Sequence, residues 1–270
     1  MPTDRRDNSD ALSAALDAYA PARVAERAAV AGVAKATLPL VPLFTLAVLA
    51  GAFIAFGAVF YLAVLFQVGP GIGRLLGGMA FSLGLFLIVV GGAELFTGNN
   101  LIILARCDGL IGTPALLRNW GIVYAGNFVG AVATAWLVAQ SGIVGPDGGE
   151  FAALVRRVAS AKIALSPEQA FFRGLLCNTL VCLSVWLCFA CHTVTDKAFA
   201  VVFPITAFVT LGLEHSVANM FFLPLAAFSG LPPDVAGMAG NLAAVTAGNI
   251  VGGSLFVGIV YWIIYRRSAG

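Results

Sequence analysis

The chain has 270 residues, of which 60% are hydrophobic and only 10% charged, with a formal net charge of +2. A water-soluble domain of this size cannot hide so much apolar surface, because its own exterior must stay wetted. The small net charge gives no basis for a nucleic-acid partner, and the second apolar solvent open to such a chain is the lipid bilayer.

Met1–Asp10 is polar and acidic. It lacks the basic-then-apolar order of a signal peptide, so none is expected to be removed. Residues 1–36 are Ala-rich, with Ser9 and Asp10 able to cap a helix start and Pro21 able to break or restart one. They predict a surface helix segment at the membrane, with a movable gate as the sharper alternative. Six apolar runs follow: Pro42–Gln67, Leu75–Leu104, Trp120–Gln140, Ala170–Cys191, Ala198–Phe228 and Met238–Tyr265. Each exceeds the ~20 residues a helix needs to cross hydrocarbon. Residues 37–266 are therefore expected to form one membrane domain, and 267–270 a short tail.

Six crossings put both ends on one side. Arg5, Arg6, Arg23, Arg27, Lys35, Arg106, Arg118, Lys197, Arg266 and Arg267 lie on that side. Arg74, Arg156, Arg157, Lys162 and Arg173 lie on the other. The excess of cations with the termini places both termini in the cytoplasm.

The chain repeats itself. Ala125-Gly126-Asn127-Phe128-Val129-Gly130 in the third run matches Ala247-Gly248-Asn249-Ile250-Val251-Gly252 in the sixth, 122 residues on. Glu94 in the second run matches Glu214 in the fifth, 120 residues on. Two three-helix halves (37–142 and 166–266) account for this. Three is odd, so the halves face opposite ways across the bilayer.

The second and fifth runs are interrupted at matching places. Gly98-Asn99-Asn100 and Glu214-His215-Ser216 do not suit a lipid-facing helix. Irregular backbone at that depth survives only where protein or a water-filled cavity covers it. Half-helices beginning there present unpaired N–H groups and partial positive charge, which attract anions. Paired half-helices also occur in water channels, so a neutral-solute channel stays open, although no Asn-Pro-Ala triplet is present.

Around these breaks the chain resembles the formate/nitrite transporter family. The resemblance rests on Phe81-Ser82-Leu83-Gly84-Leu85, Gly92–Thr97, Ala125–Gly130, Cys177–Leu183, Asp196–Phe199, Glu214–Phe221 and Gly248–Gly253. It implies an all-α, aquaporin-like protomer with broken second and fifth helices, in a homopentamer with one pore per protomer, in the cell inner membrane. It implies a small monovalent anion as substrate, with formate ahead of nitrite, hydrosulfide or a short carboxylate. By the same resemblance Leu95, Phe96 and Thr97 form a polar loop and His215 is the central histidine. Phe81, Leu85, Phe208, Asn178 and Val181 form constrictions, Lys162 sits in the outer vestibule, and Asn249 touches the pore.

The residues themselves support part of this. An ionisable group such as His215 is costly inside a bilayer and marks function. Its expected task is to hydrogen-bond the anion and to give it a proton, since an imidazole switches near neutral pH and a neutral acid crosses apolar barriers more cheaply than its anion. Glu94 and Glu214 would repel an anion, so both are read as structural acceptors for N–H groups of the broken helices. Thr97 can donate to the anion or serve as a cap. Asn127 is read as interhelical packing, and Gly126, Gly130, Gly248, Gly252 and Gly253 as points of close helix approach.

Cys188-Phe189-Ala190-Cys191-His192 matches the c-type haem attachment spacing. It ends the fourth run on the cytoplasmic side, where the cysteines are read as apolar packing residues without disulfides. No cofactor is expected, and no metal, because no zinc-type ligand cluster is visible. Two histidines give little material for a membrane-embedded enzyme.

Overall fold

The computed structural model describes residues 17–145 and 149–267. Arg5, Arg6, the cap foreseen at Ser9 and Asp10, and the last three residues of the tail lie outside the described residues. Helix α1 (Pro21–Ala36) starts on Pro21, whose fixed φ suits the first turn. It buries Val24, Ala25, Ala28, Ala29, Gly32 and Ala36 along one face. α2 (Leu40–Val68) ends on Gly69 at φ 84°, and α3 (Ile72–Gly91) on Gly92 at φ 80°, both left-handed positions suited to glycine.

The chain then runs without helix to a 3-10 segment (Gly98–Ile102) and a short α4 (Ile103–Cys107). Next come α5 (Thr113–Gln140), α6 (Glu150–Ile163) and α7 (Pro167–Ala190). α7 begins in a capping box, with Ser166 accepting from Gln169 N. The fifth run is split into α8 (Val194–Thr210), opened by a Thr193/Asp196 capping box, and α9 (Ser216–Phe228). The last span is α10 (Val235–Ile250), a π segment (Val251–Ile259) and α11 (Val260–Tyr265).

Among the described residues five helices are long and apolar enough to cross a bilayer: α2, α3, α5, α7 and the continuous Val235–Tyr265 rod. The sixth crossing is the split pair, of 17 and 13 residues. The second span keeps 20 residues before its break, so that break sits nearer one end than mid-length. The segment between the halves that holds Lys162 is helical, because Ala152, Val155 and Ala159 recur at helical spacing and bury one stripe. One expectation is corrected here. The third span begins at Thr113 rather than Trp120, because polar Asn119 has interior partners and does not end the helix.

The halves interlock. Within each half the first helix packs on the other two: α2 on α3 and α5, α7 on α8 and α10. Between halves α3 packs on α8, α9 lies on α5, and the 3-10 segment lies on the π segment. Each piece after a break thus rests on the third helix of the other half. Glycines set the closeness. A Cβ on Gly130 would fall on the Val48 carbonyl oxygen, and one on Gly252 on that of Leu175. α1 and α6 do not cross; α1 covers the 3-10 segment and α6 covers α9.

Candidate functional site

The two breaks, Gly92–Thr97 and Leu211–His215, are held by the same set of side chains used twice. In the first half Glu94 accepts from Lys35 Nζ at 2.5 Å and Asn99 Nδ2 at 2.7 Å. Asn99 Nδ2 also donates to Asn119 Oδ1 at 3.0 Å, and Asn119 Nδ2 donates to the Lys35 carbonyl at 3.0 Å. In the second half Glu214 accepts from Lys162 Nζ at 3.0 Å and Asn219 Nδ2 at 2.6 Å. Asn219 Nδ2 donates to Asn241 Oδ1 at 2.8 Å, and Asn241 Nδ2 to the Lys162 carbonyl at 2.8 Å.

Behind each carboxylate stands the asparagine of the repeated glycine–asparagine motif. Asn127 Nδ2 donates to the Ala47 and Glu94 carbonyls, and its Oδ1 accepts from Phe96 N at 2.8 Å. Asn249 Nδ2 donates to the Gly174 and Glu214 carbonyls, and its Oδ1 accepts from Ser216 N at 2.9 Å. Backbone groups freed by leaving the helix are thereby satisfied inside the protein, as a non-aqueous interior demands.

Within this shared frame the side chains of the two breaks differ, and two of the differences form the centre. Leu95 stands where the second half has His215, and Thr97 where it has Val217. There Thr97 Oγ1 and His215 Nε2 meet at 2.9 Å, both buried, and join the breaks. His215 also caps α9: its Nδ1 accepts from Ala218 N at 3.1 Å. That bond uses the Nδ1 lone pair, so the ring proton belongs on Nε2, which donates to Thr97 Oγ1. The Thr97 hydroxyl proton then has no protein acceptor among the described residues. It is a donor polarised by the bond it receives.

A cavity lies on each side of this contact. The one on the α1 side, about 350 Å³, is lined in part by Leu85, Leu95, Lys35 and Glu94. The one on the α6 side, about 70 Å³, is lined in part by Phe81, Phe208, His215 and Lys162. Phe81 and Leu85 are four apart on α3, one helical turn, and so reach one cavity each. The Phe81 and Phe208 rings meet edge to face at 5.6 Å, and Phe208 lies over His215 at 6.0 Å. Lys162 Nζ sits 5.3 Å from the Phe222 ring centre.

Several residues stand differently from expectation. Asn178 and Val181 line neither cavity. Asn178 Nδ2 is committed to the Asn249 carbonyl and Asn100 Oδ1, both at 2.7 Å, and to the Thr97 carbonyl at 3.3 Å, so it ties the halves together. Phe96 also lines neither; its ring packs against Tyr124 and Trp120. Asn249 spends both Nδ2 protons and one Oδ1 lone pair on backbone groups. Lys162, expected in the outer vestibule, is ion-paired with Glu214. Both glutamates accept from side chains, not from the helix N–H groups foreseen for them. The partners are Lys35, Asn99, Asn119, Asn219 and Asn241; none of the five carries a site role in the sequence reading, where Asn99 marks only a helix break.

A formate/nitrite transporter family model matches residues 22–263. The formate channel FocA of Escherichia coli strain K12 is 39% identical over 274 residues, covering 93% of this chain and 96% of the relative. A solved structure described as a pentameric formate channel with formate bound superposes with a TM-score of 0.77 at 38% identity, over 84% of this chain and 98% of that one. A second, described as an FNT family ion channel, gives a TM-score of 0.83 at 30% identity, over 89% and 98%.

Proposed function

The chain belongs to the formate/nitrite transporter family, and from that premise we propose that it conducts formate through the path joining its two cavities, as a homopentamer in the cell inner membrane with both termini cytoplasmic. The observation that carries this reading is the Thr97–His215 contact. It places one polarised hydroxyl and one imidazole where a buried hydrogen bond joins the two breaks.

In this reading residues 37–266 are the channel domain, with halves 37–142 and 166–266. Lys162 on one face and Lys35 on the other, each ion-paired with the glutamate of a break, hold the breaks open to the path. Phe81 with Phe208, and Leu85 with Leu95, are the apolar barriers. Thr97 donates to the anion between them. His215 acts as a neutral donor that fixes Thr97. Making it a cation would put a proton on Nδ1 and break the α9 cap, so the geometry favours hydrogen bonding over proton delivery from this ring.

Flux of formate, nitrite and hydrosulfide into proteoliposomes, measured side by side at two pH values, tests the proposal. Formate conduction lost in a His215→Phe variant supports it. Glycerol or water permeation without any of the three anions overturns it.

A further inference from the structure

The two cavities are unequal in a way that conduction of a three-heavy-atom anion does not require. The α6-side space is a fifth the volume of the α1-side one, about 70 against 350 Å³. A volume of 350 Å³ lies in the range that holds organic ligands. Its charge is unbalanced as well. Arg27, Lys35 and Lys197 line it, whereas Glu94 is its one acidic lining residue and is already engaged by Lys35. The remaining two cations leave an excess of +2 facing the cavity.

Arg27 is held ready. Its guanidinium carbon lies 4.2 Å from the centre of the Tyr19 ring, and Tyr19 is itself fixed by its N–H to the Ala190 carbonyl at 3.1 Å. Arg27 Nε is buried and lacks a hydrogen-bond partner among the described residues. A buried donor left without an acceptor is costly and calls for one. Apolar side chains of Ile88, Val89 and Phe189 form the rest of the wall used here.

We propose that the α1-side cavity is a second site, which binds an amphipathic organic monoanion larger than the permeant ion and thereby blocks the path. The acidic head rests on Arg27 and Lys197, and the apolar body lies against Ile88, Val89 and Phe189. Leu85 and Leu95, the apolar barrier of the functional reading, line the same cavity. The site's placement on the cytoplasmic face, and its effect on flux, rest on the functional reading above.

Benzenesulfonate is a suitable probe, because it stays ionised and remains on the side where it is added. Formate flux is measured in everted and right-side-out membrane vesicles, and binding is measured by isothermal titration of the purified protein. Block is expected in everted vesicles only. Arg27→Gln and Lys197→Gln each weaken binding about tenfold, the loss of one charge-assisted hydrogen bond, while formate flux without the probe stays within about twofold. Equal block from both faces overturns the proposal, as does titration unchanged in both variants. Absence of formate flux in untreated vesicles would defeat the functional reading instead, and titration would still decide the site.

Discussion

Thr97 Oγ1 and His215 Nε2 stand 2.9 Å apart although 118 residues separate them in the chain. Each sits at a position where its counterpart in the other half is aliphatic, Val217 and Leu95. The repeat therefore supplies two matching frames, and the departure from matching supplies the polar centre. Five consequences can be measured.

Thr97→Val keeps the shape but removes the hydroxyl, leaving the His215 N–H without its acceptor. Formate flux in proteoliposomes should fall by at least about tenfold, the worth of one buried hydrogen bond. Thr97→Ser should restore most of it. Full flux in the valine variant would show that the hydroxyl does not meet the ion.

Phe208→Ala opens the edge-to-face pair with Phe81. Acetate flux relative to formate should rise about fivefold or more, since one extra methyl group in an apolar passage is worth about 1–3 kcal/mol. Competition of labelled formate by acetate reads the ratio directly.

Asn127→Ala and Asn249→Ala each remove three buried hydrogen bonds of the same pattern. Both should lose about 2 kcal/mol or more of stability, and to a similar extent, because the stranded carbonyls and N–H find no water. Thermal unfolding in detergent compares them. A large loss in one and none in the other would break the equivalence of the two frames.

Lys162→Met strands the Glu214 carboxylate, since both members of the pair are largely buried, with side-chain exposures of 14% and 4%. Loss of one partner costs about 3 kcal/mol, whereas removal of both costs much less. The Lys162→Met/Glu214→Gln double variant should therefore yield more folded oligomer on gel filtration than Lys162→Met alone.

Gly130→Ala and Gly252→Ala each drive a methyl group into a facing backbone carbonyl, which cannot move aside as a side chain would. Both should aggregate on extraction. Gly121→Ala, facing open space, should purify normally.

Much of the frame was legible in the sequence. The offset of 122 between Asn127 and Asn249 and of 120 between Glu94 and Glu214 exposes both the repeat and the breaks, because a glutamate in an apolar run is costly unless it is paired. Asn99 with Asn219, and Asn119 with Asn241, carry the same offsets and could have been read by extending the repeat. Asparagine near a helix break also has ordinary capping uses, which hides its part in a buried network. Lys35 and Lys162 are offset by 127, out of step with the rest, since each rides on a helix outside the three-helix units. Asn178 defeated the sequence for another reason. Its neighbours Asn100 and Asn249 lie 78 and 71 residues away, and only the interlocking of halves brings them together. The π segment carries Gly253 and Gly258, whose missing Cβ atoms make room for Asn178 and Ile103, contacts that the sequence does not display.

The placement of Lys35 on α1 and Lys162 on α6 ties the molecule's rim to its middle. Two short amphipathic coils that never cross the lipid each supply the counter-ion for a carboxylate at a break. A protease or a truncation acting at the periphery would thus disturb charge balance deep within. The solvent-facing fringe is a working part of the conduit, and shortening it is no neutral edit.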